Sequence, residues 1–303
     1  MGELEQIQKA LGWAREYLRG CGVEGAALDA EVLLAHVTGL DRAGLYRESG
    51  RALSPREAEA YRRLVERRGR REPVAYLTGK KEFMGLEFLV GPAVLIPRPE
   101  TELLVEKACA LAREFVSRPR ELVDPERGPG VQELLIADAG TGSGAIAVSL
   151  AVFLPAARIY ATDCSSAALA VARENARRHG VAGRISFLQG DLLSPLFALN
   201  LAGRLVLIVA NLPYIPAAEL PGLMPDVRCY EPLSALDGGP DGLAHYRRLL
   251  PQARRCLSDG GRLLMEIGPG QGEKVGRLLA ENNWHYQIIP DLAGRERVVL
   301  ADF

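Results

Sequence analysis

The chain has 303 residues, of which 48% are hydrophobic and 25% are charged, and its formal net charge is −1. This length suits about two domains with a large core, and the near-neutral charge gives no general attraction to nucleic acid or membrane. The start of the chain is polar and acidic, and no apolar run approaches the ~20 residues that span a bilayer. We therefore expect a cytoplasmic monomer that binds neither a membrane nor nucleic acid directly.

The cysteine and histidine residues are too scattered for a metal site or a disulfide framework. Five cysteines are present, an odd number, and none forms a C-x-x-C pair: Cys21, Cys109, Cys164, Cys229 and Cys256. The four histidines are equally far apart. Reduced thiols and no bound metal are therefore the expectation.

Residues 1–75 are predicted to form a small helical domain. Apolar residues recur at helical spacing over 4–18, and a second apolar helix covers 29–37. The stretch 54–57 is a helix start, with a serine cap, a proline at the first helical position and a glutamate three residues after the cap. The basic end of that helix, 62–71, is typical of a solvated helix C-terminus whose cations offset the macrodipole, and a docking surface for RNA or protein is the alternative.

Residues 76–96 change character and are predicted to form a β-hairpin linker, because Gly85 lies between two short β-like runs. The prolines of the next stretch, 96–102, fix an extended entry into a helix that is expected to end near Phe115. Residues 117–132 are rich in proline, glycine and charge and are predicted to be an exposed loop.

Residues 97–303 alternate between strand and helix patterns and form the predicted second domain. The strand candidates are short apolar runs at 134–137, 158–162, 184–188, 205–210, 261–266, 286–290 and 297–300. Helical stretches lie between most of them, at 146–153, 167–179, 246–257 and 272–282. This alternation predicts an α/β, Rossmann-like fold with a mostly parallel, doubly wound sheet of seven strands.

A glycine-rich turn directly after the first of these strands is the strongest nucleotide signal. It reads Asp138, Ala139, Gly140, Thr141, Gly142, Ser143, Gly144. Glycines let the backbone approach a ligand and adopt positive φ, and the G-x-G-x-G spacing differs from the dinucleotide fingerprint G-x-G-x-x-G. A carboxylate at the entrance of the loop, Asp138, would repel phosphate and suits a cationic or amine-bearing ligand. S-adenosylmethionine therefore fits better than NAD, and a turn without a binding role is the alternative.

Acidic residues also follow the next two strands. Asp163 ends the second strand, 23 residues after Gly140, where a carboxylate can accept both hydroxyls of a ribose. A helix cap is the alternative for Asp163, because Ser165 follows and a helix begins nearby. After the third strand, Asp191 is placed to accept from an adenine amine and Leu192 to pack on the ring.

The fourth strand, 205–210, runs into Asn211, Leu212, Pro213 and Tyr214, at the strand end where open α/β sheets bind ligands. A planar amide nitrogen is a poor nucleophile because its lone pair is delocalised. Two acceptors, the Asn211 side-chain oxygen and the Leu212 carbonyl, would orient its N–H bonds and let the lone pair develop toward a methyl group. Pro213 stiffens the turn and Tyr214 offers a face for the planar group, so this motif predicts methylation of an amide or amine nitrogen.

The chain resembles the HemK/PrmC family of class I S-adenosylmethionine-dependent methyltransferases over nearly its whole length. The resemblance lies in the helical N-terminal region and in residues 77–79, 82–83, 95–102, 140–144, 163, 211–214, 231–236 and 295–299. This family methylates the side-chain amide of a glutamine in peptide-chain release factors. The resemblance implies that 140–144 and Asp163 bind the donor, that Leu192 takes the adenine-side position, and that Asn211 contacts both donor and glutamine.

The acceptor motif departs from the family at one position, because the usual sequence is Asn-Pro-Pro-Tyr and Leu212 stands second here. Leucine keeps the backbone carbonyl but restores an N–H and loosens φ. Asn-Leu-Pro-Tyr also resembles adenine-N6 methyltransferases that act on ribosomal RNA, so adenine methylation of RNA or DNA is the second hypothesis. A binding protein that keeps the fold without chemistry is the third, and intact Asp138, Asp163 and Asn211 argue against it. Neutral charge and residues 95–102 favour methylation of the glutamine of the Gly-Gly-Gln motif.

Overall fold

The computed structural model describes residues 5–117 and 133–303, so nearly all of the predicted loop at 117–132 lies outside the described residues. The helices are α1 (Ile7–Gly20), α2 (Ala26–Thr38), α3 (Arg42–Arg47), α4 (Pro55–Gly69), α5 (Val74–Thr78), α6 (Glu102–Ser117), α7 (Ala145–Phe153), α8 (Ser166–Arg178), α9 (Pro225–Arg228), α10 (Ala244–Cys256) and α11 (Gly272–Glu281). The strands are β1 (Lys80–Phe83), β2 (Leu86–Leu89), β3 (Leu134–Ala139), β4 (Ala157–Asp163), β5 (Ile185–Gln189), β6 (Leu205–Ala210), β7 (Leu257–Glu266), β8 (His285–Pro290) and β9 (Glu296–Asp302).

The chain divides into two compact units, Met1–Lys80 with Leu223–Tyr230, and Lys81–Gly222 with Glu231–Phe303. The domain ranges predicted from sequence, 1–75, 76–96 and 97–303, stay a prediction. Across the described ranges, no helix combines the length and the apolar character that crossing a membrane requires.

The first unit is a helical bundle whose apolar faces pack on one another. Tyr61 is fully buried in this core, and its hydroxyl donates to the Ala30 carbonyl at 3.0 Å. The predicted start of α4 is confirmed as a capping box, because the Ser54 hydroxyl accepts from the Glu57 N–H and the Glu57 carboxylate accepts from the Ser54 N–H. The second predicted helix is present as α2, which is capped by Gly39 with φ of 72°.

The basic end of α4 is largely paired with carboxylates of its own unit. Four of its six arginines form ion pairs: Arg63 with Glu59, Arg67 with Glu72, Arg68 with Asp29, and both Arg68 and Arg71 with Asp226. Asp226 lies in α9, so these pairs hold the segment Leu223–Tyr230 on the bundle. A role of this end as a docking surface stays a prediction.

The segment predicted as a hairpin linker divides into a helix and a hairpin. Val74–Thr78 forms α5, which begins after Pro73 and ends at Gly79 in the left-handed conformation. β1 and β2 then pair around Gly85, whose φ is 71°. Pro73 supplies a helical φ at the start of α5, and this local signal outweighs the β-like composition of the residues that follow.

The second unit contains a seven-stranded sheet of order β5-β4-β3-β6-β7-β9-β8. β9 is antiparallel to β7 and β8, and the other neighbouring strands are parallel. β3 and β6 are buried along their whole lengths, as continuous apolar runs predict for central parallel strands. α6, α7 and α8 cover one face of the sheet and α10 and α11 the other. The predicted α/β fold is confirmed, and the strand order reverses between β3 and β6, where such sheets bind ligands.

Candidate active site

A cavity of about 130 Å³ opens within the second unit, at the carboxyl ends of the strands on both sides of this reversal. Eight of the residues predicted for the site line it: Gly140, Gly142, Asp163, Asp191, Leu192, Asn211, Leu212 and Pro213. The structure therefore brings the glycine loop and the acceptor motif to one cavity, and their roles in binding and catalysis stay predictions.

The glycine loop adopts a conformation that suits glycine and is fixed to β4. Gly140, Gly142 and Gly144 have φ values of 76°, 55° and 80°. The N–H groups of Gly140 and Thr141 both donate to the Thr162 carbonyl at 2.9 Å. The Ser143 carbonyl accepts from the buried side chain of Asn175 at 2.9 Å. Because these contacts already fix the loop, a ligand that binds its backbone loses no binding free energy to ordering it.

Two of the three loop glycines, Gly140 and Gly144, are closely surrounded, so a larger side chain would clash there. A Cβ on Gly140 would lie 2.9 Å from the Leu212 Cδ2 atom, so the glycine loop and the acceptor motif lie in close contact. A Cβ on Gly144 would lie 3.0 Å from the Ala172 Cβ atom, whereas a Cβ on Gly142 would meet nothing within 4 Å.

Asp138 is fully buried beneath the glycine loop. The sequence pattern had placed it at the entrance of this loop. Its Oδ2 atom accepts from the Thr141 hydroxyl at 2.6 Å and from the Ala147 N–H at 3.1 Å, and its Oδ1 atom has no hydrogen-bond partner among the described residues. Burial raises the pKa of Asp138 to about 7, against the lowering effect of those two hydrogen bonds. Asp138 thus holds the loop to the first turn of α7 and keeps one acceptor oxygen unused.

Asp163 joins the glycine loop to the turn that precedes α8. Its Oδ2 atom accepts from the Gly142 N–H at 2.9 Å, and its Oδ1 atom accepts from the Ser165 N–H at 2.8 Å. The N-cap residue of α8 is Ser165, whose side chain accepts from the Ala168 N–H, and Asp163 supports this cap by accepting from the Ser165 N–H. Each carboxylate oxygen keeps a further lone pair for a donor in the cavity.

The loop after β5 places an acidic and an apolar residue beside the same cavity. Asp191 is exposed and forms an ion pair with Arg248. Leu192 is buried and has a φ of 50°, an unusual value for a leucine. This conformation turns the backbone sharply between the exposed and the buried side chain.

The acceptor motif is held by side chains from distant parts of the second unit. The Asn211 Nδ2 atom donates to the Thr101 hydroxyl oxygen at 3.0 Å, so the other branch of the carboxamide carries the acceptor Oδ1. The Tyr214 carbonyl accepts from Gln271 at 2.9 Å. Burial raises the pKa of Tyr214 to about 12, so its hydroxyl is neutral. Leu212 is only 3% exposed.

Sequence reasoning missed the two residues that lie behind Asn211. Thr101 is buried, and so is the carboxyl group of Glu266, whose pKa burial raises to about 7 against the lowering effect of Thr101. Thr101 lies inside the stretch 95–102, which carried the family resemblance but no derived role. Glu266 ends β7, and an acidic residue at the end of a central parallel strand was an available signal.

The residues with polar side chains that line the cavity are Asp163, Cys164, Ser165, Asp191, Asn211, Ser234 and His245. Within residues 5–117 and 133–303, no three histidine, cysteine, aspartate or glutamate side chains cluster as metal ligands would. Carboxylates and carbonyl oxygens suit a ligand that donates hydrogen bonds from hydroxyl and amine groups.

The strand order, the antiparallel β9 and the glycine loop at the reversal define a methyltransferase of class I. The family model "PrmC N-terminal domain" matches residues 9–79, and the model "Methyltransferase domain" matches residues 136–229. The hMettl16 catalytic domain in complex with MAT2A 3′UTR hairpin 6 superposes with a TM-score of 0.51 at 15% identity, over 83% of this chain and 84% of that chain, which shows the fold alone.

Curated relatives match almost the whole chain. The release factor glutamine methyltransferase of Moorella thermoacetica is 48% identical over 97% of this chain and 98% of its own length. The protein of the same name from Geobacter sulfurreducens is 45% identical over 90% of this chain and 88% of its own length. The Bacillus cereus protein of that name is 34% identical over 98% and 99%. The chain belongs to the release factor glutamine methyltransferase family.

Proposed function

We propose that this protein transfers a methyl group from S-adenosylmethionine to the side-chain amide nitrogen of the glutamine in the Gly-Gly-Gln motif of peptide-chain release factors, in the cytoplasm. The observation that carries the proposal is the single cavity that joins the glycine loop and Asp163 to the acceptor motif 211–213. Relatives of 34–48% identity that bear the name release factor glutamine methyltransferase support it.

The residues of the cavity fit the proposed donor. Gly142 leaves the backbone open, and the free lone pairs of Asp163 suit the two hydroxyls of a ribose. Asp191 is an acceptor for the amine of adenine, and Leu192 is an apolar surface for its ring. Asp138 holds the loop from beneath, and a partly ionised carboxyl group there favours a cationic ligand over a phosphate. When bound, this group supplies an electrophilic methyl on a sulfonium.

The acceptor motif orients the glutamine amide nitrogen, which is otherwise a poor nucleophile. The Asn211 Oδ1 atom and the Leu212 carbonyl accept from the two N–H bonds of the glutamine amide, and this pairing lets its lone pair develop toward the methyl group. The Gln271 side chain donates to the Tyr214 carbonyl and so fixes the backbone at the end of the motif. The methylated nitrogen is cationic and therefore acidic, so it loses its extra proton to water without a strong base.

The proposal is tested by offering labelled donor and three acceptors to the purified protein. The acceptors are a release factor, the same factor with its Gly-Gly-Gln glutamine changed to alanine, and ribosomal RNA. Label is expected in the first acceptor only. Label confined to RNA would instead establish the adenine-N6 hypothesis, and label in none of them, with donor still bound, would establish a binding protein without chemistry.

Asn211→Ala tests the acceptor motif directly. It should lower kcat by about 100-fold to 1,000-fold, the loss typical for removal of one preorganised hydrogen-bonding group, and should change the Kd of the donor by less than about threefold. Calorimetry measures the Kd and label incorporation measures kcat. Asn282→Ala, at an exposed helix end, is the matched control and should leave both unchanged. A wild-type kcat in Asn211→Ala would remove Asn211 from the mechanism.

A further inference from the structure

A tight turn after β5 carries Asp191 and Leu192, the two residues expected to meet the adenine of the donor. The Asp191 carbonyl accepts from the Ser194 N–H at 3.0 Å and closes the turn. Leu192 has a φ of 50°, and Leu193 has a φ of −93° and a ψ of 0°. This combination is that of a type II′ turn, whose second position normally holds glycine. A leucine there is strained, and such strain persists only where neighbouring groups hold the backbone in place.

One face of α10 supplies two of these neighbouring groups. The Gln252 Oε1 atom accepts from the Leu193 N–H at 2.8 Å, and Arg248 forms an ion pair with Asp191. Arg248 and Gln252 are four positions apart and therefore lie on the same face of the helix. The ion pair is about half exposed and stabilises the turn little. Leu193 is fully buried, so its N–H cannot reach water and depends on Gln252 for its hydrogen bond.

Building on the proposed function, which makes S-adenosylmethionine the donor, we propose that Gln252 is a positioning residue that holds the turn 191–194 in the form that recognises adenine. Asp191 and Leu192 line the cavity in this form, whereas Gln252 does not line it and therefore acts through the turn. Without the Gln252 acceptor, opening of the turn relieves the strain at Leu192 and lets the Leu193 N–H bond to water. Opening also moves Asp191 and Leu192 out of the positions in which they line the cavity.

Loss of this hydrogen bond should weaken donor binding by depopulating the closed turn. The apparent Kd equals the Kd of the closed form divided by the fraction of molecules that adopt it. A buried N–H without a partner shifts such an equilibrium by about tenfold to 100-fold. Asp191 accepts from the amine of adenine, whereas hypoxanthine carries an oxygen at that position and has nothing to donate there. The loss of affinity should therefore fall mainly on ligands that contain adenine.

Calorimetry with two ligands tests this selectivity without any methyl acceptor. The ligands are S-adenosylhomocysteine, which is the donor without its methyl group, and S-inosylhomocysteine, whose base is hypoxanthine. The wild type should bind the adenine compound at least about tenfold more tightly, because only this compound bonds to Asp191. Gln252→Met removes the acceptor and keeps the length and helix propensity of the side chain. It should raise the Kd of the adenine compound by about tenfold to 100-fold and that of the inosine compound by less than about threefold.

Two further variants show whether the acceptor atom itself is responsible. Gln252→Glu keeps an acceptor oxygen at the same distance from the helix, so both Kd values should stay within about threefold of the wild type. Arg247→Met is the matched control, because Arg247 is exposed on the same helix and pairs with Asp241 instead of the turn, and it should change neither Kd. An unchanged Kd of the adenine compound in Gln252→Met overturns the proposal, and so does an equal loss in Gln252→Met and Gln252→Glu.

A merely structural role of Gln252 predicts a different result. Gln252→Met would then unfold at lower urea concentration but keep the wild-type ratio of the two Kd values, and this outcome also overturns the proposal. If Gln252→Met does not fold, hydrogen exchange of the Leu193 N–H in the wild type carries the test. Saturating S-adenosylhomocysteine should slow this exchange by about tenfold or more, because the ligand binds the closed turn, and an unchanged exchange rate refutes the positioning role.

The outcomes for Gln252 and for the proposed function can be told apart. If no release factor is methylated, the proposed function fails, and the two Kd values still decide whether Gln252 positions the turn. If a release factor is methylated and Gln252→Met binds both compounds as the wild type does, only the role of Gln252 fails. A wild type that binds neither compound overturns both.

Discussion

Replacing the three loop glycines by alanine should cost unfolding free energy in an order set by what each new methyl group meets. Gly142→Ala adds a methyl group in open space, so it carries only the cost of a positive φ, about 1 kcal/mol. Gly140→Ala adds a contact of 2.9 Å with the buried Leu212 Cδ2 atom, and overpacking raises its cost by about 1–3 kcal/mol. Gly144→Ala should cost at least as much, because its methyl lies 3.1 Å from the Ala172 Cα atom of α8, which cannot rotate away.

A double-mutant cycle between Gly140 and Leu212 isolates the contact between the glycine loop and the acceptor motif. Leu212→Ala alone should cost about 2–5 kcal/mol, because a buried leucine side chain is lost. In the Gly140→Ala background it should cost about 1–2 kcal/mol less, since it also removes the atom that the new methyl meets. Gly144→Ala is the matched control, and its cost should add to that of Leu212→Ala.

Urea unfolding of the donor-free protein, followed by tryptophan fluorescence, measures these free energies. The chain has two tryptophans, and Trp284 is buried in the unit that contains the site. A Trp13→Phe background therefore confines the signal to that unit and avoids a mixture of two unfolding transitions. Equal costs at the three glycines, or equal coupling of Gly140 and Gly144 to Leu212, would refute the argument from Cβ contacts.

Two further predictions concern the carboxyl groups beside the glycine loop. Asp163→Ala should raise the Kd of the donor about tenfold to 100-fold, which is about 1.4–2.8 kcal/mol, and an unchanged Kd by calorimetry would leave Asp163 with a structural role only. The pKa of Asp138 is raised to about 7, so the stabilisation from this group is fully present below its unfolded pKa and is lost as the pH rises through about 7. From about pH 6 to about pH 8, the wild type should lose about 1.4 kcal/mol of unfolding free energy relative to Asp138→Asn. Urea unfolding at both pH values measures this difference, and an equal change of unfolding free energy in the two proteins would contradict it.

Sequence patterns predicted those parts of the fold that depend on interactions between residues close together in the chain. β6 forms over 205–210 as predicted, because a short β-branched run between breakers has few alternatives. The glycine loop and Asn211 were each placed at the carboxyl end of a predicted strand, which is where open α/β sheets bind ligands. Lys80–Phe83 and Leu86–Leu89 pair around the glycine that predicted the hairpin.

The parts that the sequence did not predict depend on contacts between distant residues. Thr101 and Asn211 are 110 positions apart, and no periodicity connects a hydroxyl at a helix start with an amide at a strand end. Arg68 and Asp226 are separated by 158 positions, so composition could not place Leu223–Tyr230 in the first unit. The direction in which Asp138 points is likewise fixed by Thr141 and by the packing of α7, which a strand-then-loop pattern does not specify.

The departure at Leu212 is compensated by packing. A proline at this position would stiffen the turn through its ring, whereas the leucine side chain is buried and lies within contact distance of Gly140. The turn is also held at Tyr214, whose carbonyl accepts from Gln271 and whose ring would meet a Cβ on Gly268 at 2.9 Å. The predicted acceptor at position 212 is a backbone carbonyl, which both residues possess. The identity of residue 212 therefore bears on the rigidity of the motif and on its contact with the glycine loop.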